Sequence, residues 1–287
     1  MQNPERKPPP AVVFDSSIED DIGQVFALAQ LLSYQSRQEV RITALSVSRN
    51  NLKTAAFCDL MGRFFGTSLN VGMAVNVSVE TAVPPMISAV LDKKTPEGKS
   101  AYNRQIDELN DTADPVALIR NALTAQQDQN SVVVLAGRSI NLVGLLALPE
   151  GKKLIQKKVR TLVAAAPFDT RLLAEWPGPV VLVEEELSQS LPFPGRSIDE
   201  DFTWTANHPL VEAYKAAKPM PYDFASSTMA AVLYAAHPEQ NYFTLSEPQG
   251  NQRRLMADAS QKERIIQAYR QAVSVKPPEP RRGGRGE

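Results

Sequence analysis

Ala11-Val12-Val13-Phe14-Asp15-Ser16-Ser17-Ile18-Glu19-Asp20-Asp21-Ile22-Gly23-Gln24-Val25-Phe26-Ala27-Leu28-Ala29 is the stretch on which the reading of this chain turns. Four consecutive apolar residues run into Asp15, four carboxylates fall within seven positions, and an apolar run of helical composition follows at once. That is the pattern of a strand, an acidic turn and a helix. In an α/β protein the crevice outside the carboxyl ends of parallel strands gathers loops and helix N-termini, so Asp15 is expected where a ligand site sits. Two readings of the carboxylates stand side by side. Asp15, Glu19, Asp20 and Asp21 carry the oxygen donors of a hard-cation site. Ser16 followed three residues later by Glu19 is instead the pattern of a capping box, and acidic residues suit the first turn of a helix.

Strand and helix signals alternate along the rest of the chain. Residues 40–47 read as a second strand, followed by the polar Ser48-Arg49-Asn50-Asn51 and a helix through Phe65. Residues 71–75 form a short third strand, and residues 76–111 a long connection carrying a short helix. A helical pattern over residues 115–126 leads into the apolar strand 131–137, and Arg138-Ser139-Ile140-Asn141 turns onto a helix over 142–148. Residues 159–165 and 180–183 are two further strands. Residues 228–236 and 261–273 are helices. Strands that are continuous apolar runs, alternating with helices, predict an α/β domain with a central, mostly parallel sheet covered on both faces. The first strand is expected near its middle. Nothing resembling a linker divides residues 11–275, read as one domain, while residues 1–10 and 276–287 read as disordered tails.

Composition narrows the function classes. The chain has 287 residues, 43% of them hydrophobic, and its 31 basic and 32 acidic residues leave a net charge of −1. No global field favours nucleic acid or an anionic membrane, and no apolar run approaches the ~20 residues that span a bilayer. The first ten residues lack the apolar core of a secretory signal, which gives a cytoplasmic expectation. The single cysteine, Cys58, excludes an intrachain disulfide and reads as a packed thiol. Only two histidines are present, His208 and His237, each before a proline and each expected at a turn or helix end. Glycine-rich dinucleotide loops, Walker loops and Gly-x-Ser-x-Gly elbows are missing from the sequence.

Four stretches together resemble the inosine/uridine-preferring nucleoside hydrolase family. Residues 14–29 fit, without a gap, the family's first loop, Phe-Asp-Thr-Asp-Ile-Gly-Asn-Asp-Ile-Asp-Asp-Ala-Leu-Ala-Leu-Ala. Ser46-Val47-Ser48-Arg49-Asn50-Asn51 is similar to its loop after the second strand. Gly137-Arg138-Ser139-Ile140-Asn141-Leu142 is similar to its Gly-x-x-Thr-Asn-Leu turn, and Thr228-Met229-Ala230-Ala231-Val232-Leu233-Tyr234-Ala235 to its Asp-x-x-Ala-Val-x-Tyr-Ala helix start. The resemblance implies the family's fold, a mostly parallel sheet with helices on both faces. It also implies hydrolysis of the N-glycosidic bond of ribonucleosides, with a Ca²⁺ held by aspartates that positions the ribose hydroxyls and the attacking water, and one aspartate as base.

Residue by residue, the family's site is altered here. Ser17 stands at the base position, Gly23-Gln24 at the acidic pair, Ile140 at the turn threonine that lends its carbonyl, and Thr228 at the late aspartate. Asp15, Asn51 and Asn141 remain. A glycine- and asparagine-rich ribose-binding segment is missing after residue 165, where Ala166-Pro167-Phe168-Asp169 passes straight into a helix. Neutral Ser, Gln and Thr do not supply the charge of a Ca²⁺ site. The expectation is therefore a non-catalytic or strongly impaired homologue that binds a nucleoside or related small molecule, without a calcium cofactor, as a homo-oligomer or paired with a homologue. The pocket residues are Ser17, Gln24, Asn51, Ile140, Asn141 and Thr228. The alternative is an active hydrolase using Asp15, Asp20 and Asp21, which pairs Asp20-Asp21 with the family's acidic pair at the cost of a shift against the following helix.

Overall fold

The computed structural model describes residues 8–18 and 21–277. The first half of the chain contains β1 (Ala11–Ser16), α1 (Ile22–Ser36), β2 (Arg41–Val47), α2 (Leu52–Phe64), β3 (Val71–Met73), α3 (Pro85–Leu91), α4 (Pro115–Thr124) and β4 (Ser131–Ala136). Then come α5 (Ile140–Ala147), α6 (Gly151–Lys158), β5 (Val159–Ala165), α7 (Thr170–Glu175), β6 (Val180–Val183), α8 (Glu185–Gln189), α9 (Ser197–Glu200) and α10 (Pro209–Ala217). The chain closes with α11 (Ser227–Ala236), β7 (Thr244–Leu245), β8 (Gln252–Met256) and α12 (Ala259–Ser274). The strands form one sheet in the order β3-β2-β1-β4-β5-β6-β8-β7, parallel except for β7 on β8.

The apolar runs of β1 and β4 are explained by this placement. Val12 and Phe14 of β1, with Val132 and Val134 of β4, pack into a core beneath α1, α2, α11 and α12. Val13, Val133 and Leu135 point the other way, into a second core with α4, α5, α6 and α7. A strand between two helical layers has no polar face to alternate with, so every residue of β1 is buried. Helix α1 is buried from Ile22 to Tyr34 for the same reason, enclosed by neighbouring helices rather than lying at a surface.

The sequence expectation for the last third omits β7 and β8. Gln252-Arg253-Arg254-Leu255-Met256 offers one buried residue, Leu255, in a strand that otherwise faces solvent, so neither an apolar run nor an alternation announces it. His208 caps α10, its Nδ1 accepting from Leu210 N at 3.2 Å, and His237 caps the C-terminus of α11. Burial pushes the His208 pKa down to about 3 and the Cys58 thiol up to about 12, with the Asp59 charge adding to the latter. Among the described residues no helix is long and apolar enough to cross a membrane. Most of both expected tails lies outside the described residues.

Strands β1 to β3 step outward in one direction and β4 to β6 in the other, so the sheet has a topological switch point between β1 and β4. Asp15 lies there.

Candidate ligand site at the switch point

Asp15 shares the orientation of Val13 and faces the α5 side of the sheet. Its register partner in β2, Ser46, donates through Oγ to Asp15 Oδ1 at 2.6 Å, and Asn141 Nδ2 donates to the same oxygen at 2.8 Å. Oδ2 is buried without a hydrogen-bond partner among the described residues. Complete burial raises the Asp15 pKa to about 7, outweighing the two hydrogen bonds, which lower it. A carboxyl in this position titrates in the neutral range instead of near its ordinary value of 3.8.

Ser16 and Ser17, on the other side of Asp15 in sequence, build a neutral cluster with α1. Ser16 Oγ donates to Gln24 Oε1 at 2.9 Å and Ser17 Oγ donates to the same oxygen at 3.3 Å. The Ser17 backbone N–H donates to Ala136 O at 3.0 Å, which ties the loop to the carboxyl end of β4. Gly137 follows at φ +116°, and a Cβ there would come within 2.8 Å of Ser17 Cβ. The cap of α1 is Asp21, whose carboxylate accepts from Gly23 N at 2.8 Å, and not the Ser16/Glu19 box; Ser16 is the last residue of β1. Asp21 is exposed. Asp20, with Glu19, lies outside the described residues.

The remaining pocket residues sit on the carboxyl edge of three different strands. Asn51 caps α2 after β2, with Oδ1 accepting from Thr54 N at 3.2 Å; its Nδ2 donates to Glu80 O at 2.8 Å and Ala82 O at 3.0 Å. Both donors of Asn51 therefore hold the β3–α3 connection. Ile140, half-buried, opens α5 after β4. Thr228 is buried in the first turn of α11, whose cap Ser226 lies where a Gly23 Cβ would have to go, at 2.5 Å. Ser227 Oγ donates to Ala166 O at 3.0 Å, so this turn stands at the end of β5. The structure thus joins Ser17 to Gln24 and Asp15 to Asn141 directly, while Asn51 is engaged elsewhere.

A charged clamp that the sequence does not announce lies over this edge. Glu80 accepts from Arg49 Nε at 2.9 Å and pairs with Arg138 Nη1 at 2.5 Å, linking the loops after β2, β3 and β4. Burial alone would raise the Glu80 pKa, but the hydrogen bonds and charges of Arg138 and Arg49 outweigh it and hold the carboxyl below its usual range. Glu80 lies in the long connection that carries no periodic pattern, so no local signal marks it. Ser139 Oγ donates to Asp169, the cap of α7, and likewise bridges two loops distant in sequence. Arg49 is 6% exposed, so Glu80→Ala strands a buried cation and is expected to cost about 3 kcal/mol. Arg138→Ala, at a half-exposed guanidinium, is expected to cost under about 1 kcal/mol. Urea unfolding of the two variants checks this; equal losses would mean the clamp contributes no more than a surface pair.

The described residues at this edge do not fit a Ca²⁺ ion held as the resembled family holds it. Such a site takes six to eight oxygens, several from ionised carboxylates. Gln24 Oε1 is already accepting two hydroxyl protons, Asp15 is a buried acid with a raised pKa, and Thr228 is neutral. Among the described residues no group of three or more His, Cys, Asp or Glu side chains is arranged to hold a metal.

No protein-family model matches the sequence, and no curated protein sequence does. Solved structures do match over nearly the whole chain. A purine-preferring ribonucleoside hydrolase from Gardnerella vaginalis superposes with a TM-score of 0.65 at 11% identity, covering 92% of this chain and 98% of that one. The inosine-uridine preferring nucleoside hydrolase from Bacillus anthracis gives 0.60 at 11% identity, covering 93% and 100%. The type III effector protein XopQ, solved in complex with adenosine diphosphate ribose, gives 0.66 at 11% identity, covering 94% of each chain. Matched at these scores over more than nine-tenths of its length, this chain has the nucleoside hydrolase-like fold.

Proposed function

We propose that this protein uses the nucleoside hydrolase-like fold to bind a ribosyl-containing small molecule at the switch point and does not carry out calcium-assisted hydrolysis. The observation that carries this reading is the Ser16–Gln24–Ser17 cluster. The Ser16 and Ser17 hydroxyls donate to the Gln24 amide oxygen, and Ser17 and Gln24 stand where the resembled family places carboxylates, so neither an ionised base nor a charged chelate is formed by them. Cleavage of an N-glycosidic bond develops positive charge on the sugar and needs an activated water. A neutral amide–hydroxyl cluster serves neither need, whereas it suits hydrogen bonding to a sugar. XopQ, which shares the fold, was solved with adenosine diphosphate ribose, and that supports the ligand class. The ligand is a small molecule rather than nucleic acid or a membrane surface.

The test is ribose release from inosine and uridine in millimolar Ca²⁺, alongside thermal unfolding with Ca²⁺ and with nucleosides. Expected are no turnover, no stabilisation by Ca²⁺, and stabilisation by a ribosyl ligand, since a ligand of the native state raises its stability. Turnover within the usual enzymatic range of ~1–10³ s⁻¹ would overturn the reading.

One observation favours the active alternative. Asp15 combines an unpartnered oxygen with a pKa of about 7, the value a general base works best at near neutral pH. If ribose release is found and Asp15→Asn abolishes it, Asp15 is the base.

A further inference from the structure

A large cavity lies on the opposite edge of the sheet from Asp15. This open cleft has a volume of about 730 Å³, within the size range of small-molecule sites, and lies where β5, β6 and β8 begin. Its walls include Pro177, Pro179, Pro238 and Pro248. Proline rings fix their backbone, so the cavity is preformed and a ligand meets little ordering cost. Asn251 Nδ2 braces one wall by donating to Trp176 O at 3.1 Å and Gly178 O at 2.8 Å.

Two cations reach this cavity without an ion-pair partner among the described residues. Arg160 is the second residue of β5 and Arg253 the second of β8, so they flank the start of β6 between them. Neither guanidinium has an ion pair or hydrogen bond among the described residues. The adjacent Arg254, by contrast, is paired with Glu184 at 2.8 Å. Glu239, the one acidic group among the described residues lining the cavity, forms no ion pair with either arginine. Tyr234, near the end of α11, is half-buried between them, its hydroxyl unpartnered among the described residues. Burial raises the Tyr234 pKa and the Arg160 and Arg253 charges pull it back, which places both guanidiniums near the phenol. At neutral pH the phenol keeps its proton and is a donor.

We propose that this cavity binds a small organic phosphate monoester, its dianionic head held by Arg160, Arg253 and the Tyr234 hydroxyl and its apolar body against the proline-lined wall. Two guanidiniums match the charge of a phosphate monoester, and the planar forks of arginine bond its oxygens in pairs. The proposal concerns a site distinct from the switch point and does not depend on the ligand assigned there.

Calorimetric titration of the full chain with phenyl phosphate, inorganic phosphate, benzoate and phenol tests it. Phenyl phosphate is expected to bind saturably and more tightly than inorganic phosphate or benzoate, and phenol not to bind. Arg160→Gln with Arg253→Gln is expected to weaken phenyl phosphate at least about tenfold, with Tyr234→Phe giving a smaller loss, because charge-assisted bonds outweigh a neutral one. Both arginines are exposed, so the unliganded melting temperature is expected to stay unchanged. Absence of saturable binding, benzoate binding as tightly as phenyl phosphate, or full affinity in the double arginine variant would each overturn the proposal. Should the double variant melt lower, Arg160→Lys with Arg253→Lys replaces it; this pair keeps the charge, loses the fork geometry, and is expected to weaken binding by less.

Discussion

Asp15→Asn is expected to gain stability relative to the wild-type protein as pH rises from 4 to 8, by about 4 kcal/mol in total. Proton linkage sets the sign. The folded-state pKa of Asp15, about 7, lies above its ordinary value of 3.8, so the native state binds this proton more tightly than the unfolded chain does. Below the unfolded value both states are protonated and Asp15 imposes no charge penalty. As pH rises through that value the unfolded chain ionises first, and stability is lost until the folded carboxyl also ionises near pH 7. A tenfold difference in proton affinity between the two states is worth about 1.4 kcal/mol, and the rise from 3.8 to about 7 gives the figure above.

An asparagine keeps an oxygen to accept from Ser46 and Asn141 and has nothing to titrate. Its amide leaves a buried donor where Oδ2 lacks a partner, a fixed cost of about 1–3 kcal/mol that displaces the whole difference without changing its slope. His208, whose buried ring loses stability as pH falls below its ordinary value of 6.5, affects both proteins equally and cancels in the comparison. Urea unfolding of both proteins at half-unit pH intervals measures the difference. A difference that stays flat across this range would show that Asp15 is ionised in the native state, and would remove the support for Asp15 as a neutral-pH base.

Gly137→Ala is expected to cost about 4 kcal/mol and to lower the melting temperature by about 10 °C, given roughly 2–4 °C per kcal/mol for a domain of this size. Two effects add. At φ +116° an L residue is strained, by about 1–3 kcal/mol. The added methyl would also stand 2.8 Å from Ser17 Cβ and 3.0 Å from Ser17 N, and neither atom is the end of a flexible side chain, so overpacking contributes about 1–3 kcal/mol more. Gly98→Ala separates the two, because Gly98 also has positive φ, at +78°, but nothing lies within 4 Å of its would-be Cβ. That variant is expected to cost about 1 kcal/mol. If the two alanine variants melt together, Ser17 packs loosely enough on the β4 turn to yield to a methyl group.

Introducing carboxylates where the resembled family carries them meets a similar steric limit. Ser17→Asp, Gln24→Asp and Thr228→Asp each replace a side chain, but Gly23→Asp must place a Cβ 2.5 Å from both Cβ and Oγ of Ser226. That Oγ caps α11 by accepting from Met229 N at 3.1 Å. Returning an acidic pair to positions 23 and 24 therefore requires α1 and α11 to separate. A carboxylate at position 23 and the present α1–α11 contact are sterically incompatible.

The sequence by itself determined the layers. Val12 to Phe14 and Val132 to Leu135 are apolar at every position, which is compatible only with strands covered on both faces, and the turn that follows each strand is legible from its polar residues. In the ungapped register with the resembled family, it also reads serine, glycine, glutamine and threonine at positions where that family carries aspartates. Only the tertiary structure decided what those positions do. Burial in the sheet raises the Asp15 pKa to about 7 against the hydrogen bonds of Ser46 and Asn141, 31 and 126 residues away, which lower it. Asn51, read as a pocket residue, commits both amide protons to the backbone of Glu80 and Ala82. Glu80 takes its role from two arginines on other loops. Periodicity reports the burial of a residue relative to its neighbours in the chain, whereas a hydrogen-bond partner or a pKa depends on which strand lies alongside and in what register. That information arises only once the strands are ordered around the switch point between β1 and β4.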